Sequence, residues 1–317
     1  MATSQSLLEG VVIMISIILL VVLLKKLNIL SKDNSLLFSK LVLNFTLPAL
    51  IFSSLAVKSF NAEFLQMALI MAIIEIGMIF IAWTIGSLLK LKQGEKGALM
   101  LVSAFGMTSL LGYPIIQQVF PNNPLAMEEA VVTSEFGVGL LLFILGPIIA
   151  MYYGEANVKA SSVFKSIKKF FLSPVFVALV FGVVFSLFSQ VQDNQLFGGI
   201  IRLTNLIGNA NLLMVALTIG LIIEFEQFNK AYLFLGVALV LKLFVKPILS
   251  IIFTNGEGFT DMMREIVFIE TALPSAILAV VYARQFNCRP DLVSKAIMVS
   301  LIISVFSLSG LFTVFFS

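Results

Sequence analysis

The sequence predicts an all-α polytopic membrane protein with ten transmembrane helices, arranged as two inverted five-helix repeats. Three observations predict it. Hydrophobic residues make up 60% of the 317 residues and charged residues only 12%, with a mean hydropathy of +1.09. Apolar runs along the chain repeatedly exceed the ~18 residues that mark a membrane-crossing helix. Lysine and arginine cluster in alternate connections between those runs, the pattern expected when basic residues stay on the cytoplasmic side. The period-two alternation of an outer-membrane barrel is absent from the sequence.

In chain order the spans are Leu7–Leu27, Leu36–Val57, Glu63–Leu89, Ala98–Phe120 and Met127–Tyr153, then Ser173–Ser189, Phe197–Ile223, Ala231–Thr254, Met263–Phe286 and Leu292–Phe316. The opening MATSQSLLEGVVIM lacks the basic stretch of a cleavable signal and reads as the entry to the first helix. The longest connection, Gly154–Phe171, carries Lys159, Lys165, Lys168 and Lys169 and divides the chain into a first repeat, residues 1–157, and a second, residues 158–317. The first connection holds Lys25, Lys26 and Lys32, the third Lys90, Lys92 and Lys96, and the ninth Arg284, Arg289 and Lys295. The second has only Lys58 and the eighth only Arg264, while the seventh sets Lys230 against Glu224 and Glu226. This alternation places the odd connections in the cytoplasm and both termini outside the plasma membrane.

Composition excludes several classes. Histidine is absent, so Ser/His and Cys/His catalysis and His-containing zinc sites are ruled out. Cys288 is the single cysteine, so no intrachain disulfide forms. There is no phosphate loop and no basic-aromatic nucleic-acid surface. An enzyme is not expected, nor a bound cofactor.

Two spans are interrupted. Ile266–Phe286 has Pro274 near its middle, with Glu270, Thr271 and Ser275 around it. Proline lacks a backbone N–H and clashes with the preceding turn, so the helix breaks or bends there. Ala98–Phe120 is interrupted by Gly106, Thr108 and Ser109 and then by Gly112-Tyr113-Pro114, about half a chain away. Five helices per half is an odd number, so repeated halves must be inverted. LNFTLPALIFSSLAV aligns with GNANLLMVALTIGLI, pairing Asn44 with Asn209 and Pro48 with Leu213, and this register brings Gly106 near the counterpart of Pro274. Inverted repeats with discontinuous helices in matching positions are the architecture of many secondary transporters.

The intramembrane charges are Glu75, Glu135, Lys242 and Glu270, with Lys246 one helical turn after Lys242. A charge at the bilayer centre costs roughly 2.5–3.5 kcal/mol on insertion scales. Lys242 is therefore expected to meet a carboxylate, Glu75 or Glu135, with Glu135 preferred because its helix follows the broken fourth span. These groups read either as a structural ion pair or as ion-coupling residues. Pro174 and Pro247 read as helix-end or kink prolines.

NFTLPALIFSSLAV, the GYP of SLLGYPIIQQVF, SPVFVALVFGVVFS, LIGNANLLMVALTIGLII and ETALPSAILAVVYARQFNCRPDLVSKAIMVSLIISV occur in that order. These blocks resemble the auxin efflux carrier family, which includes bacterial organic-acid permeases and plant auxin exporters. The resemblance implies that helices 4 and 9 are broken and cross at mid-membrane, as in Na+/H+ antiporter- and bile acid symporter-like folds. It also implies a scaffold of helices 1, 2, 6 and 7 and a mobile unit of helices 3–5 and 8–10. Members often carry asparagine at the helix 4 break, where this chain has Met107, and proline in helix 7, where it has Leu213.

Half-helix N-termini near Thr108 and Ser275 would present unpaired N–H groups and positive dipole ends, which suit a carboxylate. The expected substrate-binding residues are Gly106, Met107, Thr108, Ser109, Thr271, Pro274 and Ser275, with Asn44 and Asn209 on the scaffold side. The expected function is secondary transport, by alternating access, of a small organic anion, a mono- or dicarboxylate of auxin-like or malate- or malonate-like kind. H+ and Na+ are the candidate coupling ions. The alternatives are a cation/proton antiporter using Glu75, Glu135 and Lys242, and a passive channel or receptor. The expected partners are the anion and the lipid bilayer, with no nucleic acid; a homodimer is left open.

Overall fold

The computed structural model describes residues 2–31, 33–56, 63–121, 123–154, 164–165, 167–168, 171–187, 195–222 and 232–316. Lys32, Lys58, Lys159, Lys169, Glu224, Glu226 and Lys230, which entered the charge alternation, lie outside the described residues. All named elements are helical: α1 Ala2–Lys26, α2 Asn34–Leu55, α3 Glu63–Leu88, α4 Gln93–Ala104, α5 Tyr113–Val119, α6 Pro124–Tyr153, α7 Pro174–Ser186, α8 Gln195–Asn209, α9 Asn211–Ile222, α10 Tyr232–Thr254, α11 Asp261–Ala272, α12 Ile277–Gln285 and α13 Pro290–Phe316. Among the described residues, seven helices are long and apolar enough to cross a membrane: Gln5–Lys26, Asn34–Leu55, Phe64–Leu88, Pro124–Tyr153, Gln195–Leu221, Tyr232–Thr254 and Pro290–Phe316. The sixth expected span is the shorter apolar α7. The fourth and ninth are each two short helices rather than one long one.

Among the described residues, four π-helical turns interrupt the α-geometry: Val42–Thr46 in α2, Thr108–Gly112 ahead of α5, Thr133–Gly139 in α6 and Leu241–Val245 in α10. Pro48, Pro114 and Pro247 each follow such a turn by two residues. A proline inside a helix clashes with the carbonyl four residues back, and here that carbonyl belongs to Asn44, Leu110 or Leu243, inside the widened turn. The wider turn accommodates the ring without ending the helix. Pro247 is thus more than a kink: its turn holds Lys242, and Lys246 follows directly. Pro174 opens α7, where a missing N–H costs nothing, and Ser173 caps the helix by accepting from Phe176 N–H at 3.2 Å.

The second half of α2 packs on α7 and α8, while α9 packs on α1 and the start of α2. On the other side, α3 lies against α4 and the π-turn of α6, α11 lies against α10, and α13 touches α1, α4, α10, α11 and α12. Small residues allow the closest approaches, as in other helix pairs in lipid. A Cβ on Gly137 of α6 would lie 2.9 Å from the Ala68 carbonyl of α3, and one on Gly208 of α8 would lie 2.9 Å from Leu50 Cα of α2. Large apolar side chains such as Leu19, Leu36, Leu69, Phe80, Leu206 and Phe306 stand exposed. An apolar surface of this extent suits lipid rather than water.

Candidate functional site

The two broken helices meet. Phe105 leaves helical geometry at φ −81° and ψ 131°, ending α4. Proline disfavours helical geometry in the residue before it, and Leu273, before Pro274, is extended at φ −66° and ψ 155°. Gly106 and Ser275 then form an isolated antiparallel bridge. Met107 N–H donates to Pro274 O at 2.9 Å and Ala276 N–H to Phe105 O at 3.0 Å. Open backbone groups are expensive in an apolar interior, and each break here supplies partners for the other. Gly106, Met107, Thr108, Pro274 and Ser275 therefore lie at one crossing, with Ser109 and Thr271 beside it.

The hydroxyls expected to meet a ligand are engaged by the protein instead. Ser275 Oγ donates to Val102 O at 2.6 Å, and Ser275 N–H donates to Ser300 Oγ at 3.1 Å. Thr271 Oγ1 donates to Phe268 O at 2.8 Å. Ser134 Oγ donates to Thr108 Oγ1 at 2.5 Å. Ser109 Oγ and Tyr113 OH both donate to Glu135 Oε1, each at 2.7 Å. The amides of Met107, Ser275 and Ala276 are bonded too, so these three are not the open donors expected at the half-helix ends.

The charges are arranged differently from the sequence expectation. Glu75 pairs with Lys246, not Lys242: Lys246 Nζ lies 2.5 Å from Glu75 Oε1 and also donates to Ala104 O at 2.6 Å. Ala104 ends α4, where the last carbonyls lack intrahelical partners, so Lys246 serves as a cationic cap. Glu135 is held by Ser109 in the π-helical turn ahead of α5 and by Tyr113 at the start of α5 rather than reaching Lys242. Lys242 is fully buried, and its Nζ has no hydrogen-bond partner among the described residues. It reaches the crossing, since a Cβ on Gly106 would lie 3.0 Å from Nζ and 3.4 Å from Glu270 O. Gly106 is the residue whose missing side chain admits that ammonium. Glu270 is fully buried as well, with neither carboxyl oxygen bonded among the described residues.

Asn44 and Asn209 do not join this group. Both are exposed, and Asn44 Nδ2 donates to Lys40 O within its own helix at 2.8 Å. The buried amide is Asn211, which accepts from Thr46 Oγ1 at 2.8 Å across the α2–α9 contact. Asn44 and Thr46 both lie in the π-turn of α2, and α8 stops at Asn209 before α9 starts at Asn211. Local rewinding at both places puts the neighbouring polar residue inside. At the far ends of the broken helices, Arg289 bridges Glu95 at 2.8 Å and Asp291 at 2.9 Å, tying the start of α4 to the start of α13. The hydrogen bond to Asp291 is the main cause pushing the Arg289 guanidinium above its ordinary range. Burial pushes the nearby Cys288 thiol up to about 12.

Lys246, Tyr113, Ser134, Asn211 and Ser300 were not among the residues expected to form the site. The i, i+4 spacing of Lys242 and Lys246 and the GYP motif carried a signal for the first two. Nothing local marks Ser134 or Ser300, which are ordinary helix serines until the fold brings them to the crossing.

A multi-helix membrane protein whose two broken helices cross over buried charge belongs among the membrane transporters. The family of membrane transport proteins matches the chain over residues 6–157 and 155–312, and the chain belongs to it, within the auxin efflux carrier family. It is 21% identical to an uncharacterized transporter of Methanocaldococcus jannaschii over 92% of this chain and 93% of that one. It is 24% identical to an uncharacterized transporter of Methanothermobacter thermautotrophicus over 95% of both chains. Auxin efflux carrier component 1 of Arabidopsis thaliana is 23% identical over 44% of this chain and 22% of its own length. The protein is a transporter rather than an enzyme.

Proposed function

We propose that this transporter carries a small organic anion, a mono- or dicarboxylate, across the plasma membrane by alternating access. The observation that carries the reading is the buried Lys242 amine, which has no acceptor among the described residues and lies against Gly106 at the crossing. A charged amine at that depth needs a close counter-charge, and the nearby Glu75 is already bonded to Lys246. A substrate carboxylate supplies the counter-charge when it binds and removes it when it leaves. The Lys246–Glu75 pair beside it is closed and holds the end of α4 in place.

The ten-span count and the inverted repeats belong to the same reading. They are supported by the placement of the two broken helices half a chain apart and by their mutual bridge. A scaffold of α1, α2, α7, α8 and α9 is supported by their mutual packing, with the broken helices and their neighbours moving against it. Crossing helices that share backbone bonds move as one body, so substrate and crossing would shift together between the two faces.

Uptake into proteoliposomes of labelled mono- and dicarboxylates tests the function. At least one carboxylate should accumulate saturably and be displaced by its analogues. Non-saturating, voltage-dependent current would instead mark a channel. Sodium- or proton-driven cation exchange with no carboxylate uptake would mark an antiporter.

The orientation, with both termini outside, has its own check. A cysteine at Gly256, whose Cβ would meet nothing within 4 Å, should react with an impermeant thiol reagent from outside intact cells. A cysteine at Lys168 should not. The native Cys288 thiol is buried and protonated near neutral pH, and stays silent in this assay. Labelling of Lys168→Cys alone would reverse the assigned orientation.

A further inference from the structure

We propose that Glu270 is a proton-binding site built into the crossing, next to the Lys242 anion site and distinct from it in what it binds. Glu270 is fully buried and both of its carboxyl oxygens lack a hydrogen-bond partner among the described residues. It sits in the last turn of α11, whose carbonyl end disfavours an added negative charge. Its backbone carbonyl would lie 3.4 Å from a Cβ on Gly106, and its Cγ 3.9 Å from one on Gly112, so it spans both sides of the helix 4 break. An ionised carboxylate buried without donors is strongly disfavoured, whereas the neutral acid is tolerated.

Among the described residues no surrounding charge is bonded to the Glu270 carboxyl, and Lys242, which meets the same Gly106 on the side of the Glu270 backbone carbonyl, leaves both carboxyl oxygens unbonded. Those that act on Glu270 most strongly are Glu135, Lys246 and Glu75, and Tyr113 also lies within its field. Lys246 is committed to Glu75 and Ala104 O. Glu135 carries the same sign and is committed to Ser109 and Tyr113. Among the other titratable groups on elements packed against α11, Lys242 lies on α10, Glu128 and Glu129 on the first part of α6, and Asp291 and Lys295 at the start of α13. Asp261, Arg264 and Glu265 lie on α11 itself, one to two turns or more before Glu270.

The occupant that fits is a proton. A metal cation needs several oxygens turned toward it. The nearby hydroxyls of Ser109 and Tyr113 are turned to Glu135, and Leu273 Cδ1 fills the space by Gly112, 3.0 Å from its Cβ position. Protonation needs no such shell: the carboxylate takes up one proton to become the acid, and releases it when the crossing opens to water. Intramembrane carboxyl groups are common proton carriers. The site thereby gives the proposed anion transport a coupling ion, and its consequence for transport rests on that reading.

The test does not need the substrate. Infrared difference spectra of the full chain in lipid, taken across a pH series, should contain a protonated-carboxyl band. Glu270→Gln should lose that band, while Glu135→Gln and Glu75→Gln should keep it. A folded Glu270→Gln with an unchanged band would overturn the assignment. If Glu270→Gln does not fold, Glu270→Asp serves, because it keeps the acid and moves it by one methylene. The band should then shift, and an unchanged band would again overturn the assignment. A second arm raises the NaCl concentration at fixed pH against choline chloride. Stabilisation by sodium that disappears in the Glu270 variant would make the occupant sodium and overturn the proton assignment. Failure of carboxylate uptake with the band still assigned to Glu270 would defeat the anion reading alone.

Discussion

Lys246→Met should be among the most destabilising single substitutions in this protein, by about 3–5 kcal/mol. The side chain makes two buried contacts, to Glu75 Oε1 and to Ala104 O, and both ends of the ion pair are fully buried. Removing the ammonium strands a carboxylate whose other oxygen, Oε2, already lacks a bond among the described residues. It also reopens the end of α4 next to the crossing. The cost is the penalty of an orphaned charge, not the net worth of the pair, so it should fall when the charge is removed as well. Glu75→Gln combined with Lys246→Met should regain much of the lost stability. The measurement is thermal unfolding of the purified protein in lipid or detergent at one scan rate, because unfolding of such proteins is often irreversible. A Lys246→Met protein that melts with the wild type would show that the pair contributes nothing to the fold.

Much of this architecture is legible in the sequence. The membrane-length helices follow from apolar runs, which depend on composition alone. The two breaks followed from Pro274 and from the glycine- and hydroxyl-rich stretch at Gly106–Ser109, since proline and glycine act locally on the backbone. Their meeting was expected only through the family resemblance. The partners of the charges were not legible. Lys242 and Lys246 lie one turn apart on one helix, and sequence depth treats them as near-equivalent. The π-helical turn Leu241–Val245 and the exact path of α4 decide that Lys246 takes Glu75 while Lys242 faces Gly106. The asparagines failed for the same reason. A repeat alignment pairs Asn44 with Asn209, but a π-turn and a helix break bring Thr46 and Asn211 inside instead. The hydroxyls were identified as polar residues at the crossing without any means of seeing that Val102, Phe268, Ser134 and Glu135 already bond them.

Lys242→Met should separate binding from folding in the opposite way to its neighbour. Its amine is buried with no acceptor among the described residues, so the folded protein bears the cost of burying a polar group without a compensating bond. Methionine is of similar length, flexible and apolar, and fills the same space against Gly106. The variant should therefore melt at or above the wild-type temperature. Substrate binding should suffer, because a charge-assisted bond to a carboxylate contributes about 1.5–3 kcal/mol. Its loss corresponds to a weakening on the order of 10- to 100-fold in Kd. Carboxylate uptake by Lys242→Met proteoliposomes should fall accordingly, with saturation moving to higher concentration. Ligand-induced stabilisation in a thermal-shift assay should fall in parallel, since it depends on selective binding to the folded state. A stable variant that has lost affinity assigns Lys242 to the substrate. A destabilised variant that still binds the carboxylate normally assigns it to the fold, and moves the anion site to the amides at the start of α12 and of the turn at Thr108.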